Sequence, residues 1–137
     1  MRVCITFHSK KLEVFFRQIF KHKLGTNASE DVLVFHEKDD TYSTYVYKEK
    51  SKKYLVIGSS STLTSEYQIL EAKNPNGNFK IFQKRTRGLE YSISHYGDSF
   101  YIVTNKDKAT NFKLMKTPET ATSAENWTDL IGHRKDV

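Results

Sequence analysis

Glu66-Tyr67-Gln68-Ile69-Leu70 is echoed downstream by Asn111-Phe112-Lys113-Leu114-Met115, with Tyr67 and Phe112 45 residues apart. Both segments place an aromatic residue, a polar one and two apolar ones in series. Ile19-Phe20-Lys21-His22-Lys23-Leu24 plays the same part upstream, with Phe20 lying 47 residues before Tyr67. The neighbouring segments recur too. Val32-Leu33-Val34-Phe35, Phe79-Lys80-Ile81-Phe82 and Trp127-Thr128-Asp129-Leu130 begin 47 and 48 residues apart. Tyr54-Leu55-Val56-Ile57 and Phe100-Tyr101-Ile102-Val103 are separated by 46. Tyr42 to Tyr47 corresponds in the same way to Tyr91 to Tyr96. The chain therefore carries an internal repeat in which each unit holds four short segments.

Those segments read as β-strands. They are runs rich in aromatic and β-branched residues, often alternating apolar with polar, and turn formers bound them. Asn74-Pro75-Asn76-Gly77 is a turn tetrapeptide, and Gly97-Asp98 separates two aromatic runs. No stretch sustains an apolar stripe at helical spacing with caps at both ends. The fold class is all-β, with strands expected near Val46, Val56, Ile69, Ile81, Ile93, Ile102, Leu114 and Thr128. Four strands per 45 to 48 residues match a β-propeller blade. A β-sandwich also has recurring strands, but it needs no superperiod of this length. The reading is a propeller fragment of about two and a half four-stranded antiparallel blades. A part blade falls at about 18–36, one blade at about 42–84 and another at about 90–132. Residues 1–17 stand apart as a poorly matched N-terminal segment. A closed propeller needs at least about four blades, so the chain reads as truncated. Blade faces that would pack on absent neighbours are expected to drive self-association. The candidate faces are Tyr45, Val56 and Ile69 on one side and Tyr91, Ile102 and Leu114 on the other.

Composition narrows the class further. Among 137 residues, 8 Tyr, 9 Phe and 1 Trp make 13% aromatic, which argues against disorder. The mean hydropathy is −0.64, and no apolar run approaches the roughly 20 residues that cross a bilayer. No signal-peptide core is evident, and the one cysteine, Cys4, cannot form an internal disulfide, so a cytoplasmic setting is expected. Net charge is +6, but the 22 Lys and Arg are spread along the chain. That reads as a solvated basic surface, with neither a nucleic-acid nor a membrane partner expected.

Candidate chemistry is sparse. His8, His22, His36, His95 and His133 are scattered, without metal-ligand spacing. Glu37-Lys38-Asp39-Asp40-Thr41 gathers three carboxylates, and it reads as a polar connection between blades with an Asp-type turn. Gly58-Ser59-Ser60-Ser61-Thr62 lacks the lysine and following helix of a phosphate-binding loop. No serine has a local context that would activate it. The expectation is no catalytic, cofactor-binding or metal residue in this chain.

Several segments carry more than pattern. Phe20-Lys21-His22-Lys23-Leu24-Gly25-Thr26 and Phe35-His36-Glu37-Lys38-Asp39-Asp40-Thr41 are followed by Ser51-Lys52-Lys53-Tyr54 and Ser65-Glu66-Tyr67. Then come Leu89-Glu90-Tyr91-Ser92-Ile93, His95-Tyr96-Gly97-Asp98, Thr110-Asn111-Phe112-Lys113-Leu114 and Asn126-Trp127. In this order they closely resemble the oligopeptidase B branch of the prolyl oligopeptidase family of serine peptidases, over about Ile19 to Val137. The resemblance implies a parent with a propeller over an α/β-hydrolase domain, cleaving short peptides after Arg or Lys, the propeller filtering substrates by size. This chain corresponds to a middle part of that propeller. The catalytic triad belongs to the absent hydrolase domain, so the chain alone is expected to be inactive. The alternative is a free-standing propeller-like module that binds other proteins without catalysis.

Overall fold

The computed structural model describes residues 5–12 and 15–136; Cys4 lies outside them. Among the described residues, eleven strands form three antiparallel sheets, with short 3-10 turns and no α-helix. The first sheet holds β1 (Ile5–Leu12), β2 (Phe15–Lys23) and β3 (Val32–His36). In the second are β4 (Ser43–Lys48), β5 (Tyr54–Ser60), β6 (Ser65–Glu71) and β7 (Lys80–Ile81). The third contains β8 (Tyr91–Tyr96), β9 (Ser99–Thr104), β10 (Lys113–Pro118) and β11 (Thr128–Ile131). Each sheet is a simple meander, as in propeller blades.

Every expected strand position falls in or at the start of an observed strand. The register of the repeat is more regular than the sequence comparison suggests. Tyr47, Val56 and Ile69 form one cross-strand row, and Ile93, Ile102 and Met115 form its counterpart. Each pair of equivalents is 46 residues apart. Two alignments change accordingly. Tyr67 corresponds to Lys113, not Phe112, because Phe112 sits in the turn before β10 with φ 60°. Tyr47 corresponds to Ile93, not Tyr96. Conspicuous aromatic residues drew the sequence alignment off register; hydrogen-bond pairing fixes it. Residues at the N-terminus add a strand as well, since β1 pairs along β2 with His8 opposite Phe20.

Local patterning reflects position in the stack. β5 opens on the continuous apolar run Tyr54-Leu55-Val56-Ile57, and Val56 and Ile57, which face opposite ways, are both buried. A strand covered on both faces reads this way. Along β8, Tyr91, Ile93 and His95 are buried while Ser92, Ser94 and Tyr96 are exposed, so only one face is covered. The second sheet thus lies between the other two. Its core with the third sheet includes Tyr54, Val56, Tyr67, Ile69 and Phe82, packed with Tyr91, Ile93, Phe100, Ile102, Met115 and Trp127. Ring pairs cross the gap, with Tyr54 to Phe100 and Tyr67 to Tyr91 both at 5.2 Å between centroids. The Tyr67 amide donates to the Tyr91 hydroxyl at 3.1 Å.

This arrangement corrects the expected open faces. Val56 and Ile69 are pressed into the same core as Tyr91 and Ile102, so those residues cover one another. Leu114 points the opposite way from Met115, because successive strand residues alternate. On that outer side of the third sheet, Val103, Leu130 and Ile131 are exposed. Tyr45 lies across the middle sheet's Gly58, its cross-strand partner. A Cβ at Gly58 would fall 2.4 Å from the Tyr45 ring, so the glycine makes room for the aromatic.

Candidate functional site

Three polar constellations stand out, and all join segments distant in sequence. The most enclosed lies where the β4–β5 turn meets the end of β8. The Glu49 amide donates to the Tyr54 carbonyl, and Lys52 turns the chain with φ 63°. This places Ser51 on an exposed turn, with Oγ 2.8 Å from His95 Nδ1. His95 Nε2 is 2.8 Å from Glu119 Oε2, beyond the end of β10. The His95 side chain is only 2% exposed. Tyr54 and Phe100 hold its ring, with centroids at 4.8 and 4.9 Å. Its backbone amide donates to Glu49 Oε2 at 3.3 Å. Glu119 also accepts from Lys53 Nζ at 2.6 Å and from the Tyr54 hydroxyl at 3.2 Å. The Lys53 ammonium, helped by His95 and Tyr54, holds this carboxyl below its ordinary range despite desolvation. The Tyr54 phenol is pushed up to about 12, first by burial and then by the Glu119 charge.

A second constellation ties the first sheet's exit to the second sheet. Arg85 Nη2 lies 2.6 Å from Glu37 Oε2 and 3.1 Å from Glu66 Oε1. Its guanidinium stacks 3.7 Å from the Tyr42 ring centroid. The rest of the acidic stretch is local. Asp39 Oδ1 accepts from the Thr41 amide and hydroxyl, an Asx-type turn in the connection between sheets.

The third joins His8 and His22, on facing strands, to Asp31. His8 Nε2 is 2.8 Å from Oδ2, and His22 Nδ1 is 2.6 Å from Oδ1. Hydrogen bonds from both rings lower the Asp31 pKa. Among the described residues, no group of three His, Cys, Asp or Glu is placed to hold a metal ion.

Of the histidines singled out in the sequence, His8, His22 and His95 enter these clusters. His36 is exposed at the end of β3, and His133 lies past β11. Gly58, Ser59 and Ser60 belong to β5 itself, so the glycine-serine stretch is strand, with Ser61 and Thr62 in the turn that follows. Sequence reasoning missed the partnership of Ser51, His95 and Glu119. Their separations of 44 and 24 residues follow no local motif. The repeat could have supplied the signal, since it sets the β4–β5 turn beside the end of the next blade's first strand.

Comparison with known proteins places this architecture. The prolyl oligopeptidase N-terminal β-propeller domain matches residues 9–137. Dipeptidyl aminopeptidase BI of Pseudoxanthomonas mexicana is 39% identical over 121 residues, covering 88% of this chain and 17% of that protein. Oligopeptidase B from Leishmania major superposes with a TM-score of 0.88 at 28% identity, over 95% of this chain and 18% of that one. Oligopeptidase B from Trypanosoma brucei, in its closed form with covalently bound antipain, has the same TM-score at 30% identity, over 96% and 19%. The chain thus spans less than a fifth of these relatives' length.

Proposed function

We propose, for a chain that belongs to the prolyl oligopeptidase family through its N-terminal β-propeller domain, that it forms part of the sieve of a cytoplasmic serine oligopeptidase. The enzyme would cleave short peptides after Arg or Lys. A propeller over a hydrolase domain would limit entry to peptides thin enough to pass, and these blades would form part of its wall. The observation that carries this reading is the superposition on two oligopeptidases B over nearly the whole chain. The partner implied is an α/β-hydrolase domain that supplies nucleophile, base and oxyanion donors, with short basic peptides as substrates.

A chimera tests the reading. The corresponding propeller segment of the Trypanosoma brucei enzyme is replaced by this chain, and the product is assayed on a fluorogenic Arg-containing dipeptide and on folded lysozyme. Hydrolysis of the dipeptide with lysozyme left intact is expected. A folded chimera that digests lysozyme, or that rejects short basic peptides, would contradict the role.

A second reading, an interaction module, is favoured by one observation. Val103, Leu130 and Ile131 leave an apolar strip open on the outer side of the third sheet. In the isolated chain that strip would pair with a second copy.

A further inference from the structure

Neither the sieve nor the apolar stacking of the sheets uses the hydroxyl of Ser51. An ionised carboxylate only accepts, so Glu119, already paired with Lys53 at 2.6 Å, requires a hydrogen on His95 Nε2. A neutral imidazole then has its lone pair at Nδ1, which faces Ser51 Oγ at 2.8 Å. In that form of the ring the serine hydroxyl is the donor. Hydroxyl to imidazole to carboxylate is the order that activates a nucleophilic serine, here with the two ring nitrogens interchanged. The base is pinned by Tyr54 and Phe100 and shielded from water, whereas Ser51 itself is exposed. Open clefts of about 460 and about 480 Å³ flank the cluster, one bordered by Tyr54 and Glu119, the other by Glu49, His95 and Tyr96.

We propose that Ser51 is a reactive serine that accepts phosphonyl and acyl groups from activated donors, with His95 as its base and Glu119 as the positioning residue. With a fluorophosphonate, the Oγ–P bond forms as the P–F bond breaks and fluoride leaves. The hydroxyl proton passes to His95 Nδ1, where the Glu119 carboxylate stabilises the imidazolium, and leaves on the exposed Ser51 side together with the departing fluoride. The product is one modification per chain. Peptide turnover would require preorganised oxyanion donors as well.

The experiment incubates the purified chain with a biotinylated fluorophosphonate and follows intact mass and peptide maps over time. One adduct on Ser51 is expected, forming at least about 100-fold faster than on exposed Ser29, Ser94 or Ser123, since general-base assistance is worth about 10²–10⁴. Ser51→Ala should remove the fast adduct. Glu119→Gln, which keeps shape but not charge, should slow it at least about tenfold while circular dichroism stays unchanged. Should that variant misfold, urea applied to the wild-type chain provides the same comparison: Ser51 must fall to the rate of the other serines as the fold is lost. Labelling spread evenly over the exposed serines, or a folded Glu119→Gln that labels at the wild-type rate, would overturn the proposal. So would a fast Ser51 adduct that persists in the unfolded chain.

Discussion

Phe82 and Ile81 are adjacent, yet the structure gives them opposite fates. Phe82 is 1% exposed, while Ile81 is 53% exposed on the short outer strand β7. The Phe82 ring lies 4.9 Å from Phe100, 6.2 Å from Tyr91 and 6.3 Å from Trp127, so it joins the second sheet's end to the third sheet. Truncation to Ala removes the ring from a site enclosed by other rings, which cannot collapse into the space. Losses of this kind cost about 3–5 kcal/mol. For a domain of this size that corresponds to a fall of about 10–20 °C in melting temperature. Ile81→Ala removes side-chain atoms that are already half in water, and should cost under about 1 kcal/mol. Thermal unfolding followed by circular dichroism compares the two variants. A Phe82→Ala shift under about 3 °C, or equal shifts for both, would refute the stacking of the two sheets around this ring.

Other consequences can be checked as directly. Glu119 has a folded-state pKa below its ordinary 4.5, so its contribution to stability is present above that value and is lost as pH falls through the folded pKa. Urea midpoints of wild type and Glu119→Gln should therefore differ near neutral pH and converge as the pH falls through the folded-state pKa; a constant gap would contradict the pairing with Lys53. Gly58→Ala should destabilise by about 1–3 kcal/mol, because the new methyl meets the Tyr45 ring; an unchanged urea midpoint would show that the ring simply swings aside. The chain alone should give only background hydrolysis of a chromogenic Arg peptide, and turnover that follows the purified protein would contradict this. Light scattering over a concentration series should show association that Val103→Lys weakens, whereas a strict monomer at high micromolar concentration would reject pairing through the outer side of the third sheet.

Much of the fold was legible because a blade repeats its chemistry. Tyr54-Leu55-Val56-Ile57 and Phe100-Tyr101-Ile102-Val103 are read correctly from residue type alone, and Gly97, with φ 65°, marks the two-residue turn the sequence suggests. The facing of the strands was less legible. Val56 and Ile102 recur at the same place in the repeat, which says that they are equivalent but not that they meet. Only the stacking of one sheet on the next decides which side is covered. Phe112 misled the register because an aromatic residue in a left-handed turn resembles the start of a strand. The polar clusters were hidden for a related reason. Ser51, His95 and Glu119 come together through blade stacking, which no window of sequence contains.

Trp127 is the chain's single tryptophan, which makes it the most direct probe of the stacked blades. Its indole is buried, donates to the Thr122 carbonyl at 2.7 Å, and lies beside Tyr91 and Phe82. Nuclear Overhauser spectra of the purified chain should connect the Trp127 ring to Phe82 of the preceding blade, and Tyr54 to Phe100 across the same gap. Spectra in which Trp127 and Phe100 make contacts only within 90–132, with none to Phe82 or Tyr54, would contradict the account of this chain as stacked propeller blades.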